Sequence, residues 1–168
     1  MMSLRVFAVS GYSGTGKTSL IERLVQALKH RGYSVGVVKS SKEDVSPPEG
    51  TDTFRHLKAT ASPVILLGPS TTTIRYQRRL ESIELLSAIE ADFVLLEGFK
   101  SIALPRVLCI GDQRLDKSKI PEGTYAIIAW DKTELDEQIH LPVLQSDETD
   151  RIVSLVEASA MKYEHIRF

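Results

Sequence analysis

A strand, a glycine-rich loop and a helix in immediate succession constrain this chain more than any other feature. Residues 5–10 form an apolar run rich in Val and Phe, the pattern of a buried strand. Gly11-Tyr12-Ser13-Gly14-Thr15-Gly16-Lys17-Thr18 follows and matches G-x-x-x-x-G-K-[ST] in full. Residues 18–30 then repeat Leu20, Ile21, Leu24, Val25 and Leu28 at helical spacing, and Gly32 offers a stop. Each residue type has a physical use. Glycines permit a tight turn that brings backbone N–H groups to phosphate oxygens. A helix opening near Gly16 aims its positive dipole end at the same anion. Lys17 supplies a point charge to the β- and γ-phosphates, and the Thr18 hydroxyl is suited to Mg²⁺. Ser19 adds a contact to the α-phosphate. The loop 11–19 is therefore expected to cradle a nucleoside triphosphate, with an incidental glycine-rich turn as the alternative.

The rest of the chain alternates strands and helices. Residues 34–38 read as a second strand, and strand–helix–strand favours a parallel pair. Residues 40–50 hold Pro47-Pro48 and read as a loop. A helix is expected over 51–61, ended by Pro63. Residues 64–67 and 72–76 flank Gly68-Pro69-Ser70 and predict a hairpin, an antiparallel addition to the sheet. A short helix is expected over 80–90. Residues 93–96 are continuously apolar, as a central parallel strand requires. Strands are expected at 107–110, 125–130 and 142–144, and a closing helix at 147–162. The expected fold is a three-layer α/β P-loop NTPase domain, mainly parallel, in one domain of 168 residues.

A carboxylate ends the central strand. In this architecture an acid at the carboxyl end of a strand beside the loop lies at the metal, so Glu97 is the candidate Mg²⁺ partner of Thr18. A solvated strand-end acid is the alternative. Asp44 and Asp52 are candidates to orient a metal-bound water, or ordinary loop and helix-start residues. Asp131 follows a late strand and is a candidate reader of a guanine edge, against a plain loop acid. The basic segment 75–79 carries Arg75, Arg78 and Arg79. It could clamp an anion or be a solvated strand end. No Gln follows Glu97-Gly98, so intrinsic hydrolysis is expected to be slow, well below about 10 per second.

Composition removes other classes. Basic and acidic residues number 21 and 22, a net charge of −1, which does not supply the positive field that nucleic-acid binding needs. No run is long enough for a membrane helix. Cys109 is the sole cysteine, so no internal disulfide can form. It lies in an apolar run and reads as buried filler in a cytoplasmic protein.

Four segments occur together in order. They are the loop continuing Lys-Thr-Ser-Leu, a second strand ending Val-Val-Lys, Thr51-Asp52-Thr53-Phe54-Arg55-His56, and Leu95-Leu96-Glu97-Gly98-Phe99-Lys100. Over residues 4–110 this resembles the MobB family, GTP-binding proteins of molybdopterin-guanine dinucleotide biosynthesis. The resemblance implies a GTPase that binds GTP and Mg²⁺, hydrolyses weakly and forms a homodimer. It implies assistance in attaching GMP to molybdopterin, alongside the molybdopterin nucleotidyltransferase. It also implies that Asp52, Arg55 and His56 form a family surface near the nucleotide. One departure stands out: family members often carry histidines after the Val-Lys, where this chain has Ser40-Ser41-Lys42-Glu43-Asp44. Two rival readings share the phosphate loop, a small-molecule kinase with an arginine lid and a non-catalytic nucleotide-dependent adaptor.

Overall fold

A computed structural model describes residues 3–130, 135 and 138–166. The chain forms two compact units, residues 1–40 with 86–168 and residues 41–85. The larger begins with strand β1 (Arg5–Gly11), helix α1 (Lys17–His30) and strand β2 (Val35–Lys39). The smaller holds α2 (Asp52–Lys58), β3 (Val64–Leu67) and β4 (Thr72–Arg75). The short helix α3 (Ser82–Ser87) follows. The larger unit continues with β5 (Phe93–Glu97), β6 (Arg106–Gly111), β7 (Thr124–Ala129), β8 (Val143–Leu144), α4 (Thr149–Ser159) and β9 (Met161–Lys162).

The large sheet runs β2-β5-β1-β6-β7-β8, all parallel, with β9 added antiparallel to β1. The first two strands are parallel but do not pair, as their succession in sequence would suggest. β5 lies between them and places Lys39 opposite Glu97. β5 is buried at every residue, which explains why its sequence shows no polar alternation.

Strand alternation sorts the core. Phe7, Val9, Phe93 and Leu95 face Leu20, Ile21, Leu24 and Leu28 of α1 and Ile152, Val153 and Val156 of α4. Val6, Ala8, Val94 and Leu96 face the other way, against Leu86, Leu104 and Ile166. This second face is covered by connecting segments and the end of α3, where the sequence pattern suggests a full helical layer. Cys109 is buried in the first cluster, and burial pushes its thiol up to about 12, so it packs as an apolar group.

The closing helix stops at Ser159 instead of reaching 162. Ala160 is extended, and Met161 and Lys162 pair with Val6 and Arg5. In the smaller unit α2 ends at Lys58, and Thr60 has φ +67, so the helix unwinds before Pro63. The Thr51 side chain caps α2 by accepting from Phe54 N–H at 3.3 Å. The expected hairpin forms, with Val64 opposite Arg75 and Leu67 opposite Thr72, but as a two-stranded sheet of its own. Its Ile65, Leu66, Leu67 and Ile74 are exposed. Among the described residues no helix is long and apolar enough to cross a membrane.

Candidate functional site

β1 delivers the glycine-rich loop to the carboxyl edge of the sheet, between the ends of β5 and β6. Its exit is tight. Gly11 has φ +152, and a Cβ there would stand 2.1 Å from the Cys109 carbonyl oxygen, so β1 and β6 meet closer than any side chain permits. Thr15 Oγ1 donates to the Tyr12 carbonyl at 2.9 Å, and the Lys17 ammonium donates to the same oxygen. Gly16 caps α1 in the left-handed conformation. Lys17, Thr18 and Ser19 therefore occupy the first turn, where backbone N–H groups lack helical partners.

Glu97 enters from β5. Its side chain is largely buried, and Oε1 accepts from Thr18 Oγ1 at 3.1 Å while the Lys39 ammonium stands 3.6 Å away. The Ser40 N–H donates to the Glu97 carbonyl at 3.2 Å. Thr18 and Glu97, named from sequence, are thus brought together. Lys39 enters the sequence reading only as the end of Val-Val-Lys, with no role, because that role depends on β2 and β5 being neighbours.

Behind Glu97 lies a buried cation that sequence reading places outside the strand. Arg106 is fully buried. Nε donates to Leu104 O at 3.2 Å, and one terminal nitrogen donates to Ser10 Oγ at 3.0 Å and Phe99 O at 3.2 Å. The other terminal nitrogen donates to Ile102 O. Burial lowers its pKa. Ser10 Oγ in turn donates to Gly98 O at 2.6 Å. Phe99 has φ +53, an uncommon conformation for a non-glycine residue, and Arg106 holds its carbonyl.

A second lysine borders the loop. Lys100 Nζ lies 4.8 Å from the Tyr12 ring centroid, a cation–π distance. Burial, and then the charge of Lys17, lowers its pKa. Two ammonium groups held close enough to repel make this mouth a place for an anion. Among the described residues no group of three or more His, Cys, Asp or Glu could hold a metal alone. The Thr18 hydroxyl and the Glu97 carboxylate, 3.1 Å apart, are hard oxygen donors of the type that hard cations take.

A family model described as "Molybdopterin guanine dinucleotide synthesis protein B" (MobB) matches residues 6–131. The chain belongs to the MobB family. It is 37% identical over 135 residues to a putative molybdopterin-guanine dinucleotide biosynthesis adapter protein of Methanocaldococcus jannaschii. That match covers 76% of this chain and 56% of the relative, so the chain spans little more than half the relative's length. A probable adapter protein of the same biosynthesis from Bacillus subtilis is 28% identical over 149 residues, covering 85% and 86%. A solved structure of Bacillus subtilis MobB superposes with a TM-score of 0.71 at 27% identity, over 90% of this chain and 97% of that one. The MobB homolog from Bacillus stearothermophilus superposes at 0.66 with 24% identity, over 91% and 95%, a likeness of fold.

The remaining candidates fall in the smaller unit or outside the described residues. Asp44 is exposed in the loop before α2. Asp52 and Arg55 form an exposed pair at 3.6 Å along α2, a contact worth little in water; His56 follows and is exposed. Arg75 donates to the Val45 carbonyl, and Arg78 is paired with Glu84. Asp131 lies outside the described residues.

Proposed function

We propose that the loop 11–19 binds GTP with Mg²⁺ and that the chain hydrolyses it slowly. On this reading it serves as an adapter in molybdopterin-guanine dinucleotide biosynthesis, beside the nucleotidyltransferase that attaches GMP to molybdopterin. The carrying observation is the convergence of Lys17, the opening turn of α1 and the Thr18–Glu97 pair on one concave site. Amides of that turn and the Lys17 ammonium bind the phosphate oxygens; Ser13, Gly14, Thr15 and Gly16 line the site, and Gly11 and Tyr12 lead the chain into it. Thr18 and Glu97 would hold Mg²⁺, which when bound neutralises charge on the β- and γ-oxygens. Lys39 balances the Glu97 carboxylate. The adapter reading rests on the names of the relatives and on family membership.

Lys17→Ala is expected to lose GTP affinity at least tenfold, about 1.4 kcal/mol, while unfolding at the same temperature. Calorimetric titration of GTP and ATP, with and without Mg²⁺, measures this. In the same titration Glu97→Gln should reduce the benefit of Mg²⁺. Unchanged GTP binding by the Lys17 variant would sink the proposal. The kinase reading would need Arg75, Arg78 or Arg79 at the phosphates; Arg75 donates to Val45 O and Arg78 pairs with Glu84, exposed contacts that are weak in water and do not decide between the two readings. γ-Labelled GTP separates the two: a GTPase releases labelled phosphate, and a kinase moves the label to an organic acceptor.

The exposed apolar hairpin of β3 and β4 supports a homodimer. Two strands alone are marginal in water, and Leu67 is 76% exposed. Sedimentation velocity at micromolar concentration should read a dimer; a monomer would remove this part of the proposal.

A further inference from the structure

We propose that Trp130 is the stacking platform for the base of the bound nucleotide and that it selects purines over pyrimidines. This rests on the reading that the loop binds a nucleoside triphosphate. Trp130 is the sole tryptophan and follows the buried end of β7. Its neighbour Ala129 is fully buried, whereas Trp130 is 53% exposed. Its place is fixed by the backbone. The Trp130 N–H donates to Gly111 O at 2.9 Å. Gly111 backs onto the phosphate loop, where a Cβ on it would stand 3.4 Å from Thr15 Cγ2. The indole leans the same way: a Cβ on Gly16 would stand 3.9 Å from Nε1 of Trp130. A large flat apolar ring is thus held half in water beside the helix opening that receives phosphates.

The lysines of the mouth do not use that ring. Lys17 donates to the Tyr12 carbonyl, and Lys100 lies over the Tyr12 ring. An indole face suits a planar base, because stacking needs only a π-face and gains with overlap. A purine covers more of it than a pyrimidine does. The face carries no hydrogen-bonding pattern, so it separates GTP from UTP but not GTP from ATP.

The test uses the full chain and exploits its single tryptophan, excited at the red edge of the absorption band where its five tyrosines do not absorb. Emission of the wild type is followed while GTP, UTP or inorganic tripolyphosphate is added with Mg²⁺. Trp130→Ala is titrated with the same three by calorimetry. GTP should change the emission, and tripolyphosphate should change it much less. Trp130→Ala should lose roughly 5- to 150-fold in GTP affinity, the range found when a stacking aromatic is truncated. It should keep its tripolyphosphate affinity, and its preference for GTP over UTP should collapse. Trp130→Phe should recover part of the loss. GTP binding unchanged in Trp130→Ala, or emission that responds equally to tripolyphosphate, would overturn the stacking role and leave the phosphate site standing. A wild type that binds neither GTP nor tripolyphosphate would overturn both.

Discussion

Gly11→Ala is expected to be the most damaging single methyl that can be added to this chain. The added Cβ would stand 2.1 Å from the carbonyl oxygen of Cys109, less than contact distance by more than an ångström. Both atoms belong to paired strands, since Gly11 and Cys109 are register partners of β1 and β6. Neither can rotate away as a side-chain end would. The backbone at φ +152 adds its own penalty for any residue with a Cβ. Together these should cost about 3 kcal/mol or more, a fall of roughly 6–12 °C in Tm for a domain of this size. The opening of the phosphate loop would shift with the strand, so GTP binding should fall as well. Gly14→Ala is the control. It too has positive φ, but nothing stands within 4 Å of its would-be Cβ, so the backbone penalty alone applies, about 1–2 kcal/mol. Equal melting temperatures for the two variants would mean that the close approach of β1 to β6 is not what constrains residue 11.

Arg106→Met should unfold at markedly lower urea than the parent, by about 3 kcal/mol of stability. The guanidinium is fully buried, and its described bonds end on uncharged oxygens of Ser10, Phe99, Ile102 and Leu104. Methionine fills similar volume and removes a costly buried charge, so packing alone predicts a small effect. The loss comes from carbonyls left without a donor, each worth about 1–3 kcal/mol when it cannot reach water. Lysine is no substitute, because one ammonium cannot span acceptors that the planar fork reaches at once. The segment that Arg106 ties down begins at Gly98, directly after Glu97. Arg106→Met should therefore also raise the Mg²⁺ concentration needed for half-maximal GTP binding. A variant that matches the parent in both urea midpoint and Mg²⁺ titration would show that the segment is held by its apolar contacts.

The parts of the fold that sequence makes legible are those set by local pattern. β1, α1 and β5 follow from apolar runs and helical spacing, and the loop between β1 and α1 is written in its glycines. Thr18 and Glu97 could be paired in advance because a strand-end acid beside this loop has few places to go. Readings fail where a partner distant in sequence decides. Lys39 meets Glu97 only because β5 inserts between β1 and β2. Arg106 reads as a polar flank of an apolar run, but the carbonyls of residues 99, 102 and 104 turn inward to receive it. Met161 and Lys162 continue the periodicity of α4, but an open stretch of β1 beside Arg5 and Val6 recruits them into the sheet. Trp130 directly precedes Asp131, the candidate reader of the base, and as a lone aromatic at a strand end it carries no motif that marks it in the sequence.

The pairing of β1 also bears on how the chain must be made. Arg5 hydrogen-bonds beside Phe93 and Lys162, and Gly11 beside Cys109. At about 5–20 residues per second, a ribosome needs on the order of ten seconds between Arg5 and Phe93. During that interval the apolar strand that carries the phosphate loop has no neighbour on either edge. Nascent β1 is therefore the segment that most needs shelter during translation, and the glycine-rich loop takes its final place only after much of the later chain has emerged.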